Sequence, residues 1–182
     1  MHLPSVLAPA CAVLSVRRRS AVPHPGVAQG RKLRTDTTVV EKSLFEPHSQ
    51  VIRKGKPHKP NEFGRLLRLD EVENGIVSGY EVLAGNAADH HSFLPALNHH
   101  RACFGRVPDM ATADRGFFST QNERAAQELG VRRVALPALG RLSRKRAKQQ
   151  KQRWFHRALR WRAGIEATIS TLQHPFSMER AL

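Results

Sequence analysis

Carboxylates at strand ends and on a helix of one small domain are the parts of a metal site that cleaves phosphodiesters. That chemistry needs oxygen ligands from separate elements converging on two divalent ions about 3.5 to 4 Å apart, because Mg²⁺ or Mn²⁺ takes oxygen donors and the ions stabilise the attacking and leaving oxygens. Three acids stand where this requires them: Asp36 inside a β-branched run, Asp114 directly after a short apolar run, and Glu166 in Trp161-Arg-Ala-Gly-Ile-Glu166. Glu166 is conspicuous, since no Asp or Glu separates it from Glu128 while Arg and Lys recur throughout. Each acid also has a plainer reading. Glu166 can pair with Arg162 at i,i+4, a contact worth only a few tenths of a kcal/mol. Asp114, before Arg115-Gly116, suits a turn or a helix cap. Asp36 can be a strand-edge charge, and Asp70 competes with it as a strand-end carboxylate.

Charge points to the substrate class. Thirty Lys and Arg against fifteen Asp and Glu leave a net charge of +15 over 182 residues, which implies a polyanionic partner, most commonly nucleic acid. Ten of the basic residues crowd between Arg141 and Arg162: Arg141 itself, Arg144, Lys145, Arg146, Lys148, Lys151, Arg153, Arg157, Arg160 and Arg162. A solvated helix face normally mixes both signs, so this run is expected to contact phosphates. Trp154 and Trp161 share a face two turns apart, open to base stacking or to core packing. No stretch approaches the roughly 20 apolar residues of a bilayer span, so no membrane role is expected. The apolar start precedes Arg17-Arg18-Arg19, the reverse of an export signal. Cys11 and Cys103 have no paired spacing and are read as reduced. His90-His91 and His99-His100 lack a Cys or acid that would complete a metal set.

The elements that must hold the acids can be read in order. Residues 1–32 contain no acid and four prolines and show no period, so a disordered segment is expected. Leu33 to Glu41 reads as a strand, Pro47 to Pro60 as a loop, and Glu62 to Asp70 with Gly75 to Leu83 as a hairpin turning at Asn74-Gly75. Asp89 to Phe104 reads as a helix with Asp89 or Ser92 available to cap it and Gly105 to end it. Val107 to Ala113 is a short strand, Ser119 opens a helix that stops at Gly130, and Val131 to Leu136 is another strand. One long helix is expected from Ser143 towards Leu172, closed by Pro175. Residues 33–182 thus form a single α/β domain, a mixed sheet flanked by helices in RNase H-like order.

Several sequence words in this order resemble the DDE-type insertion-sequence transposases, the broad bacterial group that includes IS1182-like elements. They are Asp36-Thr-Thr-Val-Val-Glu41, Ser43-Leu-Phe-Glu-Pro47 with Arg53-Lys-Gly-Lys56, Glu62-Phe63-Gly64, Gly85-Asn-Ala-Ala-Asp89, Thr112-Ala-Asp-Arg-Gly-Phe117 and Trp161-Arg-Ala-Gly-Ile-Glu-Ala-Thr-Ile-Ser-Thr-Leu172. The resemblance implies a catalytic triad of Asp36, Asp114 and Glu166 that binds Mg²⁺ or Mn²⁺. It implies strand cleavage and transfer on element ends and target DNA, by a cytoplasmic, nucleoid-associated protein that is homo-oligomeric when active. Asp89 stands in one of these words, and capping of the following helix is its simplest role. Three departures argue for a truncated form with little or no activity. Gln173 stands where the family commonly carries a Lys and keeps only hydrogen bonding towards a phosphate. The Asp36 word runs almost directly into Leu44-Phe45, and the chain stops at Leu182 soon after the glutamate. The rival expectation is an inactive DNA-binding remnant.

Overall fold

The computed structural model describes residues 14–15, 28–41, 50–56, 59–138 and 140–173. The elements are β1 (Leu14–Ser15), β2 (Lys32–Glu41), β3 (Gln50–Lys56), β4 (Lys59–Val72), β5 (Ile76–Leu83), α1 (Phe93–Phe104), β6 (Met110–Ala113), α2 (Thr120–Glu128), β7 (Arg133–Ala135), α3 (Arg144–Gln150) and α4 (Arg153–Gln173). They build one mixed sheet in the order β1-β5-β4-β2-β6-β7, with β3 paired to β4. β2 is its pivot: antiparallel to β4 on one side and parallel to β6 on the other. This arrangement is the RNase H-like fold expected from the element order.

Local chemistry explains most of the boundaries. The β4–β5 turn needs left-handed backbone, which Asn74 (φ 64°) and Gly75 (φ 71°) supply. Ser119 caps α2 by accepting the Asn122 amide at 3.0 Å, and Gly105 ends α1 at φ 65°. Side chains alternate along β2 and β6, so one face of the sheet packs Leu33, Ala111 and Val134 against Phe93, Leu97, Phe117 and Ala126 of α1, α2 and the turn between them. The other face takes α4, whose Ile165 packs on Leu69 and Val77 and whose Phe155 and Ala158 pack on Ala135.

Several expectations need correction. The segment read as a loop from Pro47 contains β3 and the first residues of β4, a hairpin whose register shifts between Arg53 and Lys56. Such a bulge tolerates Gly55 and Pro60, which had suggested a loop. The single long helix is two, broken at Lys151–Gln152. Arg146 of α3 is held by the Glu123 carboxylate and the Leu136 carbonyl, with its guanidinium 4.9 Å from the Phe118 ring. α4 instead lies on the sheet, so one straight rod cannot serve both attachments. Neither Asp89 nor Ser92 makes a capping bond, and a 3₁₀ turn, Asp89–Ser92, precedes α1. Cys103 is disulfide-bonded, not reduced, and the other half of the bond lies outside the described residues. Of the segment 1–32 expected to be disordered, residues 28–32 are ordered, Lys32 opening β2 and the Arg31 amide donating to Glu73; apart from β1, the rest of it lies outside the described residues, as does Pro175.

Candidate active site

Strand register brings the first two acids together. Thr35 of β2 pairs with Ala113 of β6, the last parallel pair. The next positions are Asp36 and Asp114, on strands about 4.8 Å apart in the pairing direction. In open α/β sheets, ligands sit outside the carboxyl ends of parallel strands where the strand order reverses, and the β2–β6 boundary is such a place. Asp36 is mostly buried on the α4 face. One carboxylate oxygen accepts the Thr37 amide at 2.8 Å and the other accepts Arg162 at 3.3 Å. Burial pushes its carboxyl up to about 6, against the opposing pull of the Thr37 amide and Arg162; the nearby charges of Asp114 and Asp89 push the same way as burial.

Asp114 precedes the 3₁₀ turn Arg115–Phe117, yet its side chain makes no capping bond; its carbonyl accepts the Phe117 amide at 3.1 Å. The carboxylate is therefore not consumed by the turn. Glu166 does pair with Arg162, at 3.1 Å and with the glutamate 65% exposed. The same guanidinium reaches Asp36, so Arg162 bridges the first and third acids. Asp70 does not replace Asp36. It points to the α1 face, where it accepts Thr35 Oγ1 at 2.6 Å and Arg68 at 3.1 and 3.2 Å.

A family model described as Transposase DDE domain matches residues 71–181. The chain belongs to that family. The match spans Asp114 and Glu166 and begins after Asp36, whose place beside Asp114 comes from the strand register instead. No curated protein matches the chain. The family acts on DNA, and no helix among the described residues is long and apolar enough to cross a membrane.

In this transposase domain no group of three or more His, Cys, Asp or Glu among the described residues is gathered closely enough to hold a metal ion. The donors still suit one. Asp36 and Asp114 offer hard oxygen donors at neighbouring positions, a carboxyl raised by burial and like charge favours an added cation, and a cationic side chain already lies between Asp36 and Glu166. Glu166 would have to exchange Arg162 for the ion.

The basic run divides in two. Arg144, Lys145, Lys148, Lys151, Arg153, Arg157 and Arg160 are exposed, as is Arg141. Arg153, Arg157 and Arg160 line an open groove of about 850 Å³ on α4 together with His156. Arg146 and Arg162 are instead engaged by other protein groups, each less than a fifth exposed. The Gln173 side chain lies outside the described residues. Both tryptophans already have cationic neighbours: Arg34 lies 4.8 Å and Lys32 5.8 Å from the Trp161 ring, and Arg133 lies 5.9 Å from that of Trp154. His99 and His100 face the backbone carbonyls of Ser78 and Gly30.

Sequence reasoning did not find the residues that support the site. Arg34, on the same face of β2 as Asp36, is buried, donates to the Trp161 carbonyl and pairs with buried Glu71, tying α4 to β2 and β4. Gly164 makes room for it, since a Cβ there would overlap the guanidinium. Period-two spacing from Asp36 was the signal, and the charge of Arg34 concealed it.

Proposed function

We propose that this DDE transposase domain cleaves a DNA strand and joins the freed 3′ hydroxyl to target DNA by metal-dependent phosphoryl transfer at Asp36, Asp114 and Glu166. The reading is carried by Asp36 and Asp114 standing side by side, each one residue past the last parallel pair of β2 and β6, with Glu166 reaching the same end of the sheet from α4 through Arg162. Mg²⁺ or Mn²⁺ held there would neutralise charge on the transferring phosphoryl oxygens and lower the pKa of an attacking water. The protein's own groups orient the reaction. The Thr37 amide fixes one oxygen of Asp36, Arg34 and Gly164 set the height of α4, and Arg162, once released by the acids, is placed to meet a phosphate. Exposed Arg and Lys of α3 and α4 bind the DNA backbone without reading its sequence.

A second reading, a DNA-binding remnant that does not cleave, has an observation of its own. Arg162 lies between Asp36 and Glu166, and no described cluster is closed around a metal. The experiment that separates the two is nicking of DNA carrying the element's ends with Mg²⁺ or Mn²⁺, comparing the wild-type protein with Asp114→Ala. Metal-dependent nicking lost in the variant supports the transposase reading. Equal background in both leaves only DNA binding.

A further inference from the structure

Asp89 precedes α1, far in sequence from the three acids, and caps nothing. Its Oδ1 instead accepts the Thr37 hydroxyl at 2.7 Å, one residue from Asp36. Its Oδ2 lies against Gly116, two residues after Asp114, where a Cβ would overlap it. A single carboxylate thus spans the two backbone segments that carry the paired acids. A second clamp lies behind it: Asn122 donates to the carbonyl of His90 at 2.7 Å and to that of Phe117 at 2.9 Å, joining the turn that contains Asp89 to the turn that follows Asp114. Gly116 is required for this approach, since any side chain would displace the carboxylate.

We infer that Asp89 is a positioning residue that fixes the spacing of Asp36 and Asp114 by bridging Thr37 to the Asp114 turn, an inference that rests on the proposed reading of those acids. The bridge acts as a hydrogen-bond acceptor of fixed shape and not through its charge. An asparagine retains the acceptor for Thr37 and the volume beside Gly116, whereas alanine removes both and Thr37→Val removes the donor. Groups that orient metal ligands from behind typically govern affinity by roughly 10- to 100-fold.

The test compares Asp89→Ala, Asp89→Asn and Thr37→Val in the full chain with two readouts. The first is the Mn²⁺ midpoint for binding, followed by the paramagnetic signal of the free ion, and for nicking. Asp89→Ala and Thr37→Val are expected to raise both midpoints about tenfold, with Asp89→Asn within about twofold of wild type. A change in fold stability alone would leave the midpoint of the folded protein unmoved. The second readout is amide hydrogen exchange without metal, in which Phe117 and Thr37 become less protected in Asp89→Ala while the amides of α1 and α2 do not change. Asp89→Asn as impaired as Asp89→Ala would overturn the bridging role in favour of charge. Unchanged exchange in Asp89→Ala would overturn it outright. If the wild-type protein neither binds Mn²⁺ nor nicks, the cleavage reading fails, and the exchange result alone still decides the bridge.

Discussion

The two faces of the β2–β4 pair each bury an acid beside an arginine, and they do opposite things with it. On the α1 face, Asp70 is 1% exposed and saturated: Thr35 and Arg68 donate to it, and Arg68 continues to Glu81 and the Ser92 carbonyl. On the α4 face, Asp36 is shielded but unfinished, sharing Arg162 with Glu166 and standing beside Asp114 and Asp89. Burial raises the carboxyl of both. What separates the two acids is the company they keep: Asp70 is closed by a full set of hydrogen bonds, whereas Asp36, raised chiefly by burial, shares a single guanidinium with Glu166 beside two further acids.

The largest effect should come from breaking the closed face. Arg68→Ala leaves Asp70 buried without its partner, and chemical denaturation should show a loss of about 3 to 5 kcal/mol. A loss under about 1 kcal/mol would mean that the Arg68 network is not what holds this face.

On the open face the expected effect is a pH slope. A carboxyl that titrates near 6 when folded and 3.8 when unfolded makes the folded state bind the extra proton between those values. The contribution of this group to stability without metal should therefore be greatest below about pH 4 and be lost as pH rises through 6, a change of about 3 kcal/mol. Asp36→Asn should remove that slope. A slope that persists in the variant would assign it to another group, and one of opposite sign would mean that Arg162 outweighs burial.

A smaller contrast runs along the basic segment. Charge reversal at Lys148, Lys151 and Arg157 should weaken binding to duplex DNA, reduce the salt slope by about one for each phosphate no longer neutralised, and leave stability within about 0.5 kcal/mol. Arg146→Ala should instead lower stability by roughly 1.5 to 3 kcal/mol, because its hydrogen bonds to Glu123 and Leu136 disappear. DNA affinity that falls with Arg146→Ala and is untouched by the reversals would exchange the two roles.

The contrast also shows what sequence could convey. β2, the Asn74-Gly75 turn, the Ser119 cap and the strand leading to Asp114 were legible because local rules dictate them: β-branched runs, left-handed turn residues, a side-chain acceptor. The β3–β4 hairpin was hidden by Gly55 and Pro60, which a bulged strand pair can accommodate. The helix break at Lys151 carries no Gly or Pro and follows from where Arg146 is anchored, a tertiary cause. The Asp36–Asp70 ambiguity could not be resolved from spacing, because either acid can end a strand; only the facing direction of each side chain decides it. Asp89 looked like a cap because position alone was visible.

The most direct test of the open-face account is Mn²⁺ binding, measured by the paramagnetic signal of the free ion for the wild-type protein, Asp36→Asn and Asp70→Asn under conditions where all three are folded. The account predicts binding by the wild type, its loss in Asp36→Asn and its retention in Asp70→Asn. Retention in Asp36→Asn with loss in Asp70→Asn would contradict it and place the site on the α1 face.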